Sequence, residues 1–194
     1  MPGVPAAIHP VAGAGFRRRR FLDASQPARE LAWSRRLLAL LLAQTGSTTR
    51  LCEWIASGPV GLELVHQAWR DAPPPALQGI AGQGPTLERV TTIHAHGEAM
   101  MDNLVFVPGE GLGDDLLEGL RAGTIPVGHL VDRGFTRRSP MPTGAERDAF
   151  LDLLWARFGL AEPEAARAYI LEISGGPRLL IAEAYRHGML RDPA

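Results

Sequence analysis

The chain contains no lysine, because all 20 of its basic residues are arginine. This absence excludes a lysine Schiff base, an internal pyridoxal aldimine and the lysine of a phosphate-binding P-loop. A single cysteine, Cys52, excludes an internal disulfide and a multi-cysteine zinc or iron–sulfur site. We expect Cys52 to lie in the core rather than to act as a nucleophile. One unpaired cysteine also fits a reducing compartment, and we expect a cytoplasmic protein.

Long apolar runs are missing as well, since no stretch approaches the roughly 20 apolar residues that span a bilayer. We therefore expect no membrane insertion. A net charge of −1 gives no indication that nucleic acid is the partner. The 194 residues, 45% of them hydrophobic, suffice for the core of one domain. We interpret residues 1–24, which include the basic run Arg17–Arg20, as a flexible tail, and residues 25–194 as the domain.

The spacing of apolar residues predicts both helices and strands. Predicted helices cover residues 28–44, 112–122 and 145–158, and the segment 127–131 fits either a helix or a strand. Predicted strands cover residues 60–69, 87–96, 100–108, 167–173 and 178–185. Residues 46–51 are interpreted as a turn, and residues 72–85 and 132–143 as loops.

Two predicted hairpins organise the strands, at residues 87–108 and 167–185. Strand–helix–strand units do not repeat along the chain. This order favours an α+β fold with an antiparallel sheet over a doubly wound parallel fold. We therefore predict a single α+β domain.

Glu183 is the first candidate site residue. It lies in the run Leu179–Tyr185, which is apolar on both faces and is typical of a central, buried strand. A carboxylate buried there must be paired, hydrogen-bonded or protonated. Either a functional site or a structural ion pair satisfies that requirement.

Arg89 is the second candidate. Its strand places Leu87, Arg89, Thr91 and Ile93 on one face, which mixes apolar residues with one guanidinium. Such a face suits a carboxylate-binding pocket, because the planar guanidinium can hold a carboxylate with two parallel hydrogen bonds. The alternative is a solvent-facing arginine paired with a neighbouring strand.

His94 and His96 form a His-x-His pair near the end of the same strand, with Glu98 two residues further on. A pair of this kind can ligate zinc or iron. The common spacings of two histidines and a carboxylate are not met, so we expect no metal and keep a metal-dependent enzyme as an alternative.

Six short motifs occur in an order that resembles the chorismate pyruvate-lyase (4-hydroxybenzoate synthase) family, over about residues 30–190. They are Gly46-Ser47-Thr48-Thr49-Arg50-Leu51, Leu87-Glu88-Arg89, Gly97-Glu98, Val105-Phe106-Val107-Pro108, Ile125-Pro126-Val127-Gly128, and Ser174-Gly175-Gly176-Pro177 leading to Glu183.

The resemblance implies a six-stranded antiparallel sheet with helices on one face and an enclosed ligand cavity. It also implies a cofactor-independent carbon–oxygen lyase that eliminates pyruvate from chorismate to leave 4-hydroxybenzoate. By the same resemblance, Arg89 holds the ring carboxylate, Glu183 meets the ring hydroxyl or takes the adjacent proton, and backbone groups of Ser47 and Val127 complete the substrate site. The partner is then a small aromatic or cyclohexadiene carboxylic acid, bound by a monomer or weak dimer.

The chain departs from this family where well-known bacterial members carry a Gly-Arg pair ahead of Val-Val-Pro. Here the residues are Asn103-Leu104, so a second contact to the anionic substrate is lost, and Arg178 is a candidate replacement. A related acid is then a plausible substrate. The alternative function is a non-catalytic module of the same fold that binds or senses an aromatic acid, as in the effector domains of some bacterial regulators.

Overall fold

The structure is a computed structural model that describes residues 28–131, 135–159 and 165–190. The predicted tail and its arginine run, Arg17–Arg20, lie outside the described residues. Within the described residues, no helix is both long enough and apolar enough to cross a membrane.

A six-stranded antiparallel sheet forms the centre of the domain, with the strand order β1-β2-β3-β6-β5-β4. The fold class predicted from the sequence is confirmed. The strands are β1 Gly61–Arg70, β2 Thr86–Ala95, β3 Glu98–Pro108, β4 Thr136–Pro140, β5 Ala166–Ile173 and β6 Arg178–Tyr185.

Within the described residues, six α-helices and two short 3-10 helices surround the sheet. The α-helices are α1 Ala28–Ala43, α2 Thr48–Ala56, α3 Gln78–Ala81, α4 Asp114–Ala122, α5 Val127–Val131 and α6 Ala145–Phe158. The 3-10 helices are Pro75–Leu77 and His187–Leu190.

The turn between β2 and β3 fixes the register of the central strands. Its two residues, His96 and Gly97, have φ values of 51° and 76°, as two-residue hairpin turns of the primed types require. Arg89 then pairs with Val105, and Thr91 pairs with Asn103. Alternate residues of each strand point to opposite faces.

One face, here called the α6 face, is covered by α6, α3 and the first 3-10 helix. Phe150, Leu154 and Trp155 of α6 belong to one core cluster with side chains of the central strands. The strand residues of this cluster are Val90, Leu104, Phe106, Ala166, Ala168, Leu180, Ala182 and Ala184.

The opposite face, here called the cavity face, is covered by α1, α2, α4 and α5. Leu41 of α1 and Cys52 of α2 cluster with Ile93 and Met101 of the sheet, and Leu120 of α4 clusters with Val105. Helices therefore lie on both faces, whereas the resemblance implies one. The physical reason is that the central strands are apolar on both sides, so each side needs a cover.

Three elements differ from the sequence predictions. The predicted turn at 46–51 is the start of α2, with Ser47 as its N-cap. The predicted loop at 72–85 contains Pro75–Leu77 and α3, and it buries Leu77 completely. The predicted loop at 132–143 contains the edge strand β4, which pairs only with β5. The ambiguous segment Val127–Val131 is a helix.

Candidate functional site

A cavity of about 30 Å³ lies between the cavity face of the sheet and the starts of α2 and α5. It has room for one or two water molecules. Its polar and charged lining residues are Thr48, Thr49, Thr91, Asn103, Arg138, Tyr169 and Glu183. Its other lining residues are Leu62, Ile93, Met101, Val105, Pro126, Val127, Gly128, Leu171 and Ile181.

The N-terminus of α2 brings two threonines to the cavity. Ser47 caps the helix, because its side-chain oxygen accepts a hydrogen bond from the backbone N–H of Arg50 at 3.4 Å. Thr48 and Thr49 follow and line the cavity, whereas Ser47 does not. The predicted substrate residue Ser47 therefore stands next to the cavity and positions its neighbours.

The N-terminus of α5 closes the other side of the cavity, where Val127 is a lining residue. Position 128 requires glycine because α5 approaches α2 closely at this point. A Cβ atom at this position would stand 2.7 Å from Oγ1 of Thr49. The two covering helices also share a contact between His129 and Glu53, with 3.2 Å between Nε2 and Oε1, which is an ion pair when the imidazole is protonated.

Glu183 is almost fully buried and is held by donors from three elements. Oε2 accepts hydrogen bonds from Thr48 at 3.1 Å and from Nε of Arg167 at 2.9 Å. Oε1 accepts one from the hydroxyl of Tyr169 at 2.8 Å. The Tyr185 hydroxyl lies 3.3 Å from Oε2 and 3.1 Å from the Leu41 carbonyl oxygen. One acceptor position of Oε1 remains.

The charges around Glu183 keep its neighbours in their donor forms. Burial raises the pKa of Tyr169 and of Tyr185 well above the ordinary value, and the Glu183 carboxylate adds to that effect. Burial by itself lowers the pKa of Arg167, but the Glu183 carboxylate together with Tyr185 and Tyr169 outweighs burial and raises that pKa. Both tyrosines are therefore protonated donors, and Arg167 is the permanent counter-charge of Glu183.

Arg89 is fully buried on the cavity face and has no acidic partner among the described residues. Its Nη2 donates to the carbonyl oxygens of Ile125 at 2.8 Å and Gly123 at 3.3 Å. Within the described part of the chain, Nε and Nη1 have no hydrogen-bond partner. Burial lowers the pKa of Arg89 to about 10.

Arg89 and Glu183 lie on the same face of the sheet. Arg89 pairs with Val105 and Val105 with Ile181, which is two residues from Glu183. That register separates their Cα atoms by about 12 Å, two strand spacings across and two residues along. Val105 and Ile181 line the cavity, whereas Arg89 is not among its lining residues and lies on the strand next to Val105.

Arg138 of β4 is a lining residue that the sequence analysis missed. It also borders a second cavity of about 80 Å³, together with Tyr169 and Arg167. Because β4 is a short polar edge strand, the sequence shows no apolar periodicity there. The one signal in the sequence is the pair of adjacent arginines in Thr136–Pro140, which point to opposite faces if the segment is a strand.

Arg178 does not replace the arginine that Asn103-Leu104 lacks. It is exposed in the β5–β6 hairpin, where its Nε lies 2.9 Å from Oε1 of Glu172. Asn103 itself lines the cavity, directly across from Glu183 in the sheet.

His94 and His96 make separate contacts with different parts of the backbone. Nε2 of His96 lies 2.9 Å from the Ala56 carbonyl oxygen, and the ring of His94 stands against the backbone of Gly61. No group of three or more His, Cys, Asp or Glu side chains suitable for a metal occurs in residues 28–131, 135–159 and 165–190. Cys52 is buried in the core, as expected, with Sγ 3.8 Å from Sδ of Met189.

Comparison with known proteins finds similarity at the level of structure. No protein-family model and no curated protein matches the chain. The gene product SA0254 from Staphylococcus aureus is 12% identical over 74% of this chain and 90% of that chain, with a TM-score of 0.42. The ligand-binding domain of a protein described as a GntR-family transcriptional regulator from Bordetella bronchiseptica is 14% identical over 66% and 84%, with a TM-score of 0.37. PhnF from Mycobacterium smegmatis is 13% identical over 89% of each chain, with a TM-score of 0.42. These identities and TM-scores are low, so the chemistry of the site rests on its own geometry.

Proposed function

We propose that this domain binds a small cyclic carboxylic acid, aromatic or cyclohexadiene, beside Arg89 on the cavity face and acts as a non-catalytic binding or sensing module. The observation that carries the proposal is the Arg89 guanidinium. It is fully buried, and two of its three nitrogens lack a partner among the described residues. A buried cation without a counter-charge costs several kcal/mol, and a bound carboxylate removes that cost.

The walls beside Arg89 suit a ring. Ile93, Met101, Val105 and Ile181 supply apolar contacts on the sheet side. On the cover side, Val127 completes an apolar slot. Ligand sites typically combine such apolar walls with a few placed polar groups.

A six-membered ring requires more room than the closed cavity offers. An engineered cavity that binds benzene measures about 150 Å³, against about 30 Å³ here. The covering helices α2 and α5 therefore have to move outward for the acid to bind. Their shared ion pair, Glu53 with His129, is partly exposed and is weak enough to open.

Glu183 acts in this proposal as a hydrogen-bond acceptor for a ring hydroxyl, through the remaining position on Oε1. Its other acceptor positions face Thr48, Arg167 and Tyr169. A proton taken by Glu183 would leave Arg167 buried without its counter-charge, which is costly. This arrangement favours binding over proton abstraction.

The second candidate function is the lyase reaction, which the shared face of Arg89 and Glu183 favours. In that reaction the C–H bond at the hydroxyl-bearing ring carbon breaks and its electrons make the ring aromatic. The adjacent C–O bond breaks, enolpyruvate leaves, and protonation yields pyruvate. Arg89 would orient the ring carboxylate and Glu183 would take the proton.

Calorimetric titration of the purified chain with 4-hydroxybenzoate tests the binding proposal. We expect saturable binding to the wild-type chain and a loss of about 10- to 100-fold in affinity for Arg89→Met, because a charge-assisted contact is removed. Arg178→Met is the matched control, since Arg178 is exposed and is not among the residues that line the cavity. It should bind as the wild type does.

Incubation with chorismate separates the two functions. The binding module leaves chorismate unchanged over the period in which a lyase releases 4-hydroxybenzoate and pyruvate, both measured by chromatography. Turnover that Glu183→Gln abolishes would establish the lyase. Absence of both binding and turnover in the folded wild-type chain would overturn both candidates.

A further inference from the structure

The outer edge of β1 is a long strand edge with a neighbour on one side. β1 covers ten residues, and among the described residues it pairs with β2 alone. Its other edge presents backbone N–H and C=O groups with which a further strand can pair. Proteins commonly protect such an edge with proline, lysine or a bulge, and β1 contains neither proline nor lysine. β1 is therefore a candidate for pairing with another chain.

Large apolar side chains stand exposed along this edge. Leu64 is 40% exposed and Trp69 is 45% exposed. Ile125, in the link between α4 and α5, is also exposed. It lies two residues from Gly123, where a Cβ atom would stand 2.7 Å from Cδ2 of Leu64. Exposed apolar groups gathered in one place indicate an interaction surface. An apolar strip therefore accompanies the strand edge.

A bulge in β1 places Leu64 and Trp69 on the same face of the sheet. Leu64 pairs with Thr91 of β2, which lines the cavity. Trp69 pairs with Leu87, which is four residues from Thr91 and therefore on the same face. A regular strand points residues five apart to opposite faces, but the bulge between Leu64 and His66 reverses the alternation. Both exposed side chains thus belong to the cavity face.

A second copy of the chain fits this edge in a two-fold register. When two β1 strands pair antiparallel about an axis perpendicular to the sheet, residues directly opposite each other belong to the same face. With the axis just after His66, Leu64 of one copy lies opposite Trp69 of the other. The bulge makes this register possible, because it brings residues at an odd spacing to one face.

Charges near the ends of β1 favour the same register. Glu63 pairs with Thr92 of β2 and Arg70 pairs with Thr86, so both point to the α6 face. In the two-fold register Glu63 of one copy lies opposite Arg70 of the other. Opposite charges in directly opposed positions stabilise an antiparallel pair, and the symmetry repeats the contact. The edge is therefore complementary to itself in both apolar shape and charge.

We infer that the chain forms a symmetric dimer in which the β1 strands of two copies pair antiparallel and join the two six-stranded sheets into one sheet of twelve strands. One strand pair with its apolar strip is a small interface, so we expect a dissociation constant of about 1–100 μM. The sequence analysis left a monomer and a weak dimer open. This inference is independent of the proposed function.

Sedimentation equilibrium of the full chain over a concentration series tests the dimer. We expect the apparent mass to rise from the 20.9 kDa of one chain toward twice that value. Leu64→Glu should weaken association at least about ten-fold, because it places a charge against Trp69 at two symmetric positions. Phe135→Glu is the matched control, since Phe135 is highly exposed beside β4 at the opposite edge of the sheet. It should associate as the wild type does.

Disulfide trapping tests the register. The native Cys52 is buried, so introduced cysteines are the reactive ones. Chains with Leu64→Cys are mixed with chains with Trp69→Cys and oxidised. Directly opposite residues have Cα atoms about 4.5–5.5 Å apart, which a disulfide can bridge. Identical positions in the two copies are five residues out of register, about 17 Å apart. The mixture should therefore give a cross-linked dimer on a non-reducing gel, and each variant alone should not.

Each remaining outcome decides the inference. A wild type that stays at the mass of one chain throughout the series overturns it, as does association lost in Phe135→Glu but kept in Leu64→Glu. Equal cross-linking by either cysteine variant alone contradicts the register. If Leu64→Glu fails to fold by circular dichroism, the disulfide experiment decides the question. A monomer that still binds 4-hydroxybenzoate leaves the proposed function intact.

Discussion

The two faces of the sheet bury charge in different ways. On the α6 face, Glu88 contacts both Arg70 and Arg157, and Asp102 contacts Arg186. On the cavity face, Glu183 pairs with Arg167, whereas Arg89 and Arg138 donate to backbone carbonyl oxygens.

This difference separates structural charge from charge available to a ligand. The α6 face is filled by Phe150, Leu154 and other apolar side chains, and its carboxylates Glu88 and Asp102 are buried and paired with arginines. The cavity face has space beside Arg138 and Glu183, and Arg89 lies on the same face of the sheet. A buried charge left without a partner next to a cavity is a stronger indication of a site than a strongly perturbed but paired one.

The largest effect is expected on the α6 face, from Asp102→Ala. Arg186 and Asp102 are fully buried, with 2.7 Å between Nε and Oδ2. Removing the carboxylate leaves Arg186 without its counter-charge and should cost about 3–5 kcal/mol in the free energy of unfolding, measured by urea denaturation. An equal loss in the ligand affinity of the surviving folded protein would contradict the division between the faces.

Glu183→Gln should cost less, about 1–3 kcal/mol in the same measurement. Arg167 loses its counter-charge but keeps hydrogen bonds to the Gln44 carbonyl at 2.6 Å and to Thr48 at 2.9 Å. A loss larger than that of Asp102→Ala would show that Glu183 is the main structural ion of the domain.

Gly128→Ala tests the contact between the two covering helices. The new Cβ would meet Oγ1 of Thr49 at 2.7 Å, so α5 has to shift away from α2. We expect a loss of about 1 kcal/mol in stability, from the strain of overpacking, and an altered affinity for 4-hydroxybenzoate. Gly79→Ala in α3 is the matched control, because nothing lies within 4 Å of its Cβ position. Equal stability and equal affinity of the two variants would contradict the close approach of α5 to α2.

Glu53→Gln should have a smaller effect on stability, about 0.2–1 kcal/mol, because its partner His129 and Glu53 itself are partly exposed. Its informative effect is kinetic. If this ion pair helps to hold the cover closed, both association and dissociation of 4-hydroxybenzoate should accelerate in stopped-flow measurements. Unchanged association and dissociation rates would show that the cover does not open by breaking this contact.

Cys52 reports the opening of the cover without any substitution. Burial is the main cause of the raised pKa of its thiol, and the Glu183 and Glu53 carboxylates add to it. The native thiol should therefore react with a disulfide reagent at pH 8 far more slowly than in urea. The thiol ionises near pH 8.5 in the unfolded chain and only at higher pH in the folded chain. Ionisation therefore favours the unfolded state, so the free energy of unfolding falls as pH rises above about 8.5. Bound 4-hydroxybenzoate should slow the reaction further, and acceleration by the acid would contradict closure around a ligand.

The amount of structure that the sequence predicts depends on how many neighbours an element has. β6 and α6 begin and end where their apolar patterns do, because both pack on several elements. β4 has one strand neighbour and a polar sequence, so no pattern distinguishes it from a loop. α2 carried an available signal in Ser47, a favourable N-cap residue before an apolar-periodic run.

The candidate site divides in the same manner. Arg89 and Glu183 are recognisable because a charge inside an apolar strand pattern is costly unless it is used or paired. Arg138 carries no such signal, because an arginine in a polar segment is ordinary. Its role as a lining residue arises only when β4 joins the edge of the sheet.

Local pattern determined the α+β class, the antiparallel hairpins and the burial of Glu183, because periodicity and the cost of buried charge act within a single strand. For Arg89 the pattern left a buried and a solvent-facing position open, and the tertiary structure buries it. Tertiary structure decided which charges neutralise each other, that Arg167 rather than Arg89 pairs with Glu183, and that Arg138 reaches the cavity. These outcomes depend on distances between segments far apart in the chain, which only the closed sheet and its helical covers establish.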